Sequence, residues 1–557
     1  MSRLQGRRAL WLLGLVLVIG LGAERALTLA HAASTDFDDA YMYLRYAKHL
    51  LAGQGISWNA GEGGVYGVTS LLHLGAVVVT LVFFPRLSAA GTLQVASSTC
   101  ALALLAGLVA LAALVCRDER LRGRSILWAI VLLPLVAFHD SYVFHAGTGM
   151  DTMLSALANT AVALATVRLA RAPSITAALW SAIASLVAVL ARPDNVLCAI
   201  FCPALALLLL APAPRRKAAV TFGVLLLVGL ATLVLATASI LGSPLPLSFF
   251  AKQPGYYGDF AGEYSWNPYL FLKVFFATAW PFVVAAIVFA ERKIWRQLLV
   301  LLAPSLASIA VLFRFNHIMG HLGRFYYPFL PFFVAAGIVA FDGFMAGHAR
   351  ASSVVAWFAF ASRKTLTRAA AAVIVVAGGN VVLSLAADAF EARGQEHPLE
   401  PAVRYALPAV EPLPEIDSWQ AARAVAAIAV AAPAGASFAM SEHGLPGALA
   451  PEVRIVDVLG LHDPYFAHHG FSAAELFRRK PDVIWLPHAD HGAMVRDILG
   501  SEEFWRHYEL FPDAFFHGIA LRTDGPRYLQ VAAAFRQQWH VLYPGLQPGD
   551  YRVRAPL

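Results

Sequence analysis

Three acidic residues stand within four positions near the N-terminus, at Asp36, Asp38 and Asp39. They follow an apolar run of about 20 residues, the length that crosses a bilayer as a helix, so we expect them at a membrane surface. A carboxylate there can take a proton from a hydroxyl group during a transfer reaction. Capping of the next helix explains one such acid, but it does not explain three. We therefore predict that Asp38 and Asp39 are catalytic.

Cationic residues are predicted at the same membrane face, although most Lys and Arg of this chain lie in short clusters between apolar runs. Arg192, Lys252 and Arg324 are the exceptions. Ionisable residues at such depths are usually paired or functional. We predict that Lys252 and Arg324 bind a phosphate group. Arg192 has two open interpretations, a third phosphate contact or a turn salt bridge with Asp194.

Histidine spacing gives a weaker indication of a metal site. His317 and His321 are four residues apart, which can place two ligands on one helix face. Residues 318–320 supply no glutamate of a His-Glu-x-x-His motif, so hydrogen bonding to a lipid head group is the preferred interpretation. We assign no metal ligands and no cofactor, and a divalent cation stays an open alternative. The remaining histidines singled out are expected on the surface of a soluble domain: His443, His462, His468 and His469.

Composition fixes the class of protein that must position these residues. Hydrophobic residues make up 59% of the 557 residues and charged residues 14%, which is too little charge for a soluble chain of this length. We predict a polytopic α-helical membrane protein with about 11 transmembrane helices in residues 1–388, followed by an α/β domain in residues 389–557. The net charge of +7 does not indicate nucleic acid, because no basic stripe interleaved with aromatic residues is present.

Apolar length and the Lys/Arg distribution place the spans and their sides. The segment 69–85 is predicted to dip into the outer leaflet, because a full crossing would put the basic loop Arg117 to Arg124 outside. Residues 30–90 then form a first periplasmic loop, and the C-terminal domain is also periplasmic. The first span is predicted to be retained, with signal-peptide cleavage near Ala33 as the alternative. The predicted spans are 9–29, 91–115, 125–141, 150–169, 175–191, 196–213, 218–241, 269–290, 297–313, 325–345 and 369–388.

The C-terminal part reads as alternating strands and helices. Strands are predicted at Ser437–Met440, Val453–Val458 and Asp482–Leu486, and helices at Trp419–Ala431 and Ser472–Arg478. No Walker loop or Rossmann glycine fingerprint occurs anywhere in the sequence, which argues against a nucleotide-driven pump or a nucleotide-sugar enzyme.

The stretch 38–70 resembles the first periplasmic loop of GT-C-type glycosyltransferases. It reads Asp-Asp-Ala-Tyr and later Arg45-Tyr-Ala, then Gly53-Gln-Gly, and ends in Tyr66-Gly-Val-Thr-Ser. It is most similar to the bacterial branch that includes the terminal arabinofuranosyltransferases of mycobacterial cell walls. Tyr66 stands where that branch has an acid, and Glu62 lies nearby. Later segments resemble the family in the same order: 147–152 with Asp151 for Glu, 191–194, 250–258, 323–326, 442–444 and 457–463.

This resemblance implies a polyprenyl-phosphate sugar donor and an inverting transfer at the outer face of the inner membrane. The acceptor would be a glycan, a glycolipid or a protein. The resemblance also implies that an acid of the first loop is the general base, and Asp38 takes that role, with Asp39 as the alternative. Tyr256 and Tyr257 are either substrate contacts or members of an interfacial aromatic belt. The full set of predicted substrate contacts is Arg45, Glu62, Asp151, Tyr256, Tyr257, His317 and His321.

Two other functions compete with a transferase. A transporter or flippase of lipid-linked saccharides would also use cations at one membrane face, but transporters usually have paired half-repeats and helices broken near the midplane. The sequence has no such symmetry. A non-catalytic scaffold for envelope assembly would not need acids and cations that converge on one face.

Overall fold

A computed structural model of the chain describes residues 37–115, 134–212, 215–253, 267–315, 320–348, 363–396, 412–488 and 491–554. Several predictions fall outside these residues and stay predictions. They are the first span at 9–29 with its cleavage alternative, the basic loop Arg117 to Arg124, most of the span at 125–141, and Tyr256, Tyr257 and His317.

Helices dominate the N-terminal part, as the composition predicts. In chain order they are α1 (Asp38–Leu51), α2 (Leu71–Phe83), α3 (Ala89–Val115), α4 (Asp140–Gly147), α5 (Thr152–Arg171), α6 (Ile175–Ala191), α7 (Val196–Leu209), α8 (Arg216–Leu241), α9 (Ser248–Ala251), α10 (Pro268–Val288), α11 (Trp295–Leu312), α12 (Leu330–His348) and α13 (Arg363–Glu396). Short 3₁₀ turns occur at Pro193–Asn195, His321–Gly323 and Tyr327–Phe329.

Seven stretches of the described residues are long and apolar enough to cross a membrane. They are Ala89–Val115, Thr152–Arg171, Arg216–Leu241, Pro268–Val288, Trp295–Leu312, His321–Phe344 and Thr367–Phe390. Three shorter apolar helices are Leu71–Phe83, Ile175–Ala191 and Pro193–Leu209. Each corresponds to a predicted segment, so the prediction of a polytopic helical membrane protein is confirmed.

The helix α2 covers the segment predicted to dip into the membrane. Its 13 residues span about 20 Å at 1.5 Å per residue, whereas the hydrocarbon core of a bilayer is about 30 Å thick. A straight helix of this length is too short to cross. The length of α2 therefore favours the prediction that this helix dips into one leaflet, and the assignment stays a prediction.

Burial distinguishes the central helix of the bundle from the peripheral ones. In the most apolar part of the stretch His321–Phe344, 94% of the residues are buried inside the protein. The corresponding share in Thr367–Phe390 is 6%. The first therefore packs on all sides against other helices, while the second turns its Val and Ile side chains outward, as a lipid-facing helix does. Arg324 lies in this buried stretch, before α12 begins, and its side chain is itself buried.

The C-terminal domain contains a mixed five-stranded sheet. Its elements are α14 (Ser418–Ala431), β1 (Ser437–Met440), α15 (Gly444–Leu449), β2 (Arg454–Asp457), α16 (Pro464–His469), α17 (Ala473–Arg478), β3 (Val483–Trp485), α18 (Gly492–Leu499), α19 (Glu502–His507), β4 (Tyr508–Phe511), β5 (Ile519–Arg522) and α20 (Tyr528–Leu542). The strand order is β2-β1-β3-β5-β4, with β1 parallel to β2 and β3, and β5 antiparallel to β3 and β4.

This sheet confirms the three predicted strands, which are β1, β2 and β3. The strands β4 and β5 were not predicted. In the sheet, β4 lies at an edge, and β5 lies between β3 and β4. The helix α13 continues to Glu396 and so runs past the predicted domain boundary at residue 388.

Arg45 joins α1 to the C-terminal domain. Its side chain is fully buried, and burial lowers its pKa to about 9. The guanidinium donates hydrogen bonds to the carbonyl oxygens of Trp58 (2.6 Å), Gly447 (2.7 Å), Ala450 (3.2 Å) and Val453 (2.8 Å) and to Oδ1 of Asn59 (3.0 Å). Three of these acceptors belong to the loop and helix before β2, so Arg45 fixes the domain against α1.

Removal of this guanidinium is expected to loosen the C-terminal domain. Arg45→Ala leaves several buried carbonyl oxygens without a donor, at about 1–3 kcal/mol each. We expect faster hydrogen exchange in residues 443–455 and faster proteolysis between the domains. The control is Arg454→Gln, which breaks only an exposed ion pair with Glu62, worth about 0–1 kcal/mol. Unchanged protection in Arg45→Ala would contradict this role.

Candidate active site

A cavity opens at the end of the helix bundle that faces the C-terminal domain. It holds about 950 Å³ of empty space, its open mouth included. Its charged lining residues are Asp39, Arg192, Asp194, Lys252 and Arg324, and its apolar lining includes Phe249, Leu312, Phe315, Phe325 and Leu461. The cavity therefore combines an ionic centre with apolar walls, and Leu461 brings the C-terminal domain to its rim.

The helix α1 lies between this cavity and the helix α15 of the C-terminal domain. Residues three and four apart share a helix face, so Asp39, Met42 and Tyr43 all point to the cavity. Asp38 and Arg45 lie on the face that packs against α15. One turn of α1 thus presents one carboxylate to each side.

The carboxylate of Asp39 is paired with Arg324 inside the cavity. Nη1 of Arg324 lies 3.1 Å from Oδ2 of Asp39. Arg324 follows the 3₁₀ turn His321–Gly323, in which Gly323 has φ +72°, a conformation that favours glycine. This tight turn stands before the central helix and directs the guanidinium toward α1.

The carboxylate of Asp38 has a different environment. Its two oxygens accept hydrogen bonds from the backbone N–H groups of Gly444 and Leu445, both at 2.7 Å. Burial raises the pKa of Asp38, although His443 and the two N–H groups oppose that rise. Asp38 does not line the cavity. Its geometry is that of a residue that holds the N-terminus of α15 against α1.

Asp151 lies behind the cavity wall and organises it. Oδ1 accepts a hydrogen bond from Nη1 of Arg192 at 3.3 Å and lies 4.0 Å from Nη2 of Arg324. Oδ2 accepts from the hydroxyl groups of Tyr43 and Thr69, each at 3.0 Å. The side chain is fully buried. Asp151 therefore positions both arginines instead of facing the cavity itself.

Arg192 both forms the predicted salt bridge with Asp194 and lies at the cavity, where it could contact a phosphate. It forms a bidentate ion pair with Asp194, with Nη2 and Oδ2 2.8 Å apart, and it also lines the cavity. Asp194 also lines the cavity, whereas the sequence indicated it only as a salt-bridge partner of Arg192.

Lys252 is the cation of the cavity that lacks a carboxylate partner in the described part of the chain. It follows the short helix α9, and its Nζ lies 5.8 Å from the centre of the Phe325 ring. Burial lowers the pKa of Lys252 to about 8, with Asp39 opposing this shift. An ammonium in such a position is best stabilised by an anionic ligand.

The other predicted substrate contacts lie elsewhere. Glu62 is exposed and pairs with Arg454 at 2.6 Å, and Arg45 is buried in the domain junction. The ring of His321 packs edge-on against Phe37 and Phe271, and His321 does not line the cavity.

Two site features were missed or misjudged from the sequence. Tyr43 and Thr69 line the cavity, but the sequence did not single them out as site residues. Both lie in the motif segments, and the i, i+4 spacing of Asp39 and Tyr43 could have indicated Tyr43.

The expectation that His443 and His462 are surface residues was wrong, because both are buried, at 0% and 2% exposure. They lie under α1, and the sequence does not reveal that contact.

Comparisons with known proteins yield one kind of likeness. No protein-family model matches the chain, and no curated protein matches it in sequence. Among solved structures, the chain is similar to the crystal structure of ArnT from Cupriavidus metallidurans in the apo state. The identity is 13%, the match covers 90% of this chain and 97% of that chain, and the TM-score is 0.49. It is a likeness of fold alone, and no conclusion about activity rests on it.

Proposed function

We propose that this protein is a membrane glycosyltransferase that moves a sugar from a polyprenyl-phosphate donor to a hydroxyl acceptor at the outer face of the inner membrane. One observation carries the proposal. A carboxylate, Asp39, and an ammonium without a carboxylate partner among the described residues, Lys252, line the same cavity together with two arginines. A base and a phosphate-binding cluster are the two functions that such a transfer requires.

The proposed reaction uses these groups in defined roles. Asp39 accepts the proton of the acceptor hydroxyl as its oxygen bonds to the anomeric carbon of the sugar. The bond from that carbon to the phosphate oxygen breaks, and its electron pair leaves with the phosphate. Lys252 and Arg324 bind the phosphate and stabilise the charge that it gains. Asp151 acts through Arg192 and Arg324 as a positioning residue.

The apolar walls support a lipid-linked donor. Phe249, Leu312 and Phe315 line the cavity beside the cations, and Leu312 ends the membrane-spanning helix α11. A prenyl chain in contact with these side chains would place its phosphate at the ionic centre. The rim residue Leu461 supports acceptor binding from the side of the C-terminal domain.

Transfer by reconstituted protein tests the proposal. Full-length protein in proteoliposomes would be given polyprenyl-phosphate donors with labelled pentoses or hexoses, and glycan or glycolipid acceptors. We expect labelled acceptor and free polyprenyl phosphate in equal amounts. Movement of the intact lipid-linked sugar across the bilayer without cleavage would instead establish a flippase. Absence of both transfer and donor binding would contradict the proposal.

The pH dependence of donor use is expected to follow Lys252. Burial lowers the pKa of Lys252 to about 8 in the protein without bound donor, so kcat/KM for the donor should fall as the pH rises above about 8. Lys252→Gln should remove this decline and lower kcat/KM by about 10- to 100-fold, as expected for a lost charge-assisted hydrogen bond. Lys252→Arg should move the decline to higher pH. A wild-type profile that is flat from pH 7 to pH 9.5 would contradict this role.

A further inference from the structure

Two histidines and an aspartate lie together in the C-terminal domain, beneath α1. His443, Asp457 and His462 are buried, and each offers one ligand atom such that the three atoms lie within 4.8 Å of one another. Nδ1 of His443 is 3.7 Å from Oδ1 of Asp457. None of the three lines the cavity of the proposed active site. Two imidazoles and one carboxylate form a donor set typical of zinc sites.

The hydrogen bonds of His443 leave it ready to bind a metal ion. Its Nδ1 lies 2.7 Å from the carbonyl oxygen of Ser441, which can only accept, so Nδ1 donates its proton there and Nε2 is the ring nitrogen available to a ligand. In the described part of the chain, Nε2 is buried without a hydrogen-bond partner. Metal-ligating histidines are usually held in this way, with the other ring nitrogen donating to a backbone carbonyl.

The charges around His443 also favour a cation. Asp457 accepts the backbone N–H groups of Leu459 at 2.9 Å and His462 at 2.6 Å, which hold its carboxylate in the cluster. A second buried carboxylate, Asp38, faces His443 from α1. A dication would offset both negative charges.

We propose that His443, Asp457 and His462 bind one Zn²⁺ ion. The ligands come from the segment after β1, the end of β2 and the loop after β2, so the ion joins two strand ends. The ring of His462 stacks on Trp58 at 4.0 Å, and its Nε2 lies 3.0 Å from Sδ of Met42. The ion would thereby stiffen the surface on which α1 rests. This binding does not depend on the proposed transferase activity.

Metal content of the purified protein tests the site. Full-length protein without an oligohistidine tag, analysed by mass spectrometry of elements, is expected to contain about one zinc per chain. His443→Gln and Asp457→Asn should each lose most of it. The matched control is His469→Gln, which changes an exposed histidine whose Nδ1 bonds to the carbonyl oxygen of Tyr465, and this variant should retain the zinc.

A second measurement uses only the wild-type chain, in case the variants do not fold. After removal of zinc by a chelator, Co²⁺ should restore one equivalent of metal and give the visible absorption of a four-coordinate site. Wild-type protein that neither contains zinc nor takes up Co²⁺ would overturn the proposal. Zinc retained in folded His443→Gln and Asp457→Asn would also overturn it, because it would identify an adventitious ion only.

Discussion

Asp39→Asn is expected to lower kcat for sugar transfer by about 10²- to 10⁴-fold, the usual contribution of a general base. Asparagine keeps the size of the side chain and can still face Arg324, but it cannot take the acceptor proton. The donor KM should change much less than kcat, because the cations that bind the phosphate remain. The measurement is transfer in proteoliposomes at saturating donor, with kcat and KM determined separately.

Two further acids of the same loop provide controls for this prediction. Glu62→Gln removes an exposed carboxylate that pairs with Arg454 outside the cavity, and it should leave kcat unchanged. Asp38→Asn should act on the contact between α1 and α15, since the carboxylate of Asp38 accepts two backbone N–H groups there. Its effect should therefore appear as reduced thermal stability. Full activity in Asp39→Asn, with loss of kcat in a stable Asp38→Asn protein, would transfer the role of base to Asp38.

Asp151→Ala is expected to have the largest effect on the cavity itself. Removal of this buried carboxylate leaves Arg192 and Arg324 without a shared partner and frees the hydroxyl groups of Tyr43 and Thr69. Removing one partner of a buried ion pair costs about 3–5 kcal/mol when the other charge is left unpaired. Arg192 and Arg324 keep Asp194 and Asp39 as partners, so we expect a loss of stability toward or below the lower end of that range. We expect a marked fall in the melting temperature and, in protein that still folds, a donor KM raised at least about tenfold as the arginines shift.

The control for Asp151 is another acid of the same end of the bundle. Asp140 begins α4 and is exposed, so Asp140→Asn should change neither the melting temperature nor the donor KM. Polyprenyl phosphate, the leaving group of the proposed transfer, should stabilise the wild type thermally and should stabilise Asp151→Ala less. Identical stabilisation of the two proteins would show that Asp151 does not position the phosphate-binding arginines.

The amino-acid sequence by itself determined the class of the protein and the positions of most of its membrane helices. Apolar length placed the membrane helices, because about 20 consecutive apolar residues are stable in few environments other than a bilayer. Short apolar runs placed β1, β2 and β3. The sequence also supplied the ionisable residues of the cavity, since Asp39, Arg192, Lys252 and Arg324 are rare charges at one predicted face of an apolar chain.

Only the tertiary structure decided which of those charges meet. Asp38 and Asp39 are consecutive on α1, so their side chains point about 100° apart, and the sequence could not tell which one faces the cavity. Arg45 looked like a substrate contact, yet three of the four carbonyl groups that it binds lie about 400 residues later in the chain. His443 and His462 have the polarity of surface residues and are buried because α1 packs over them. Each of these outcomes depends on contacts between residues distant in the sequence, which local patterns do not encode.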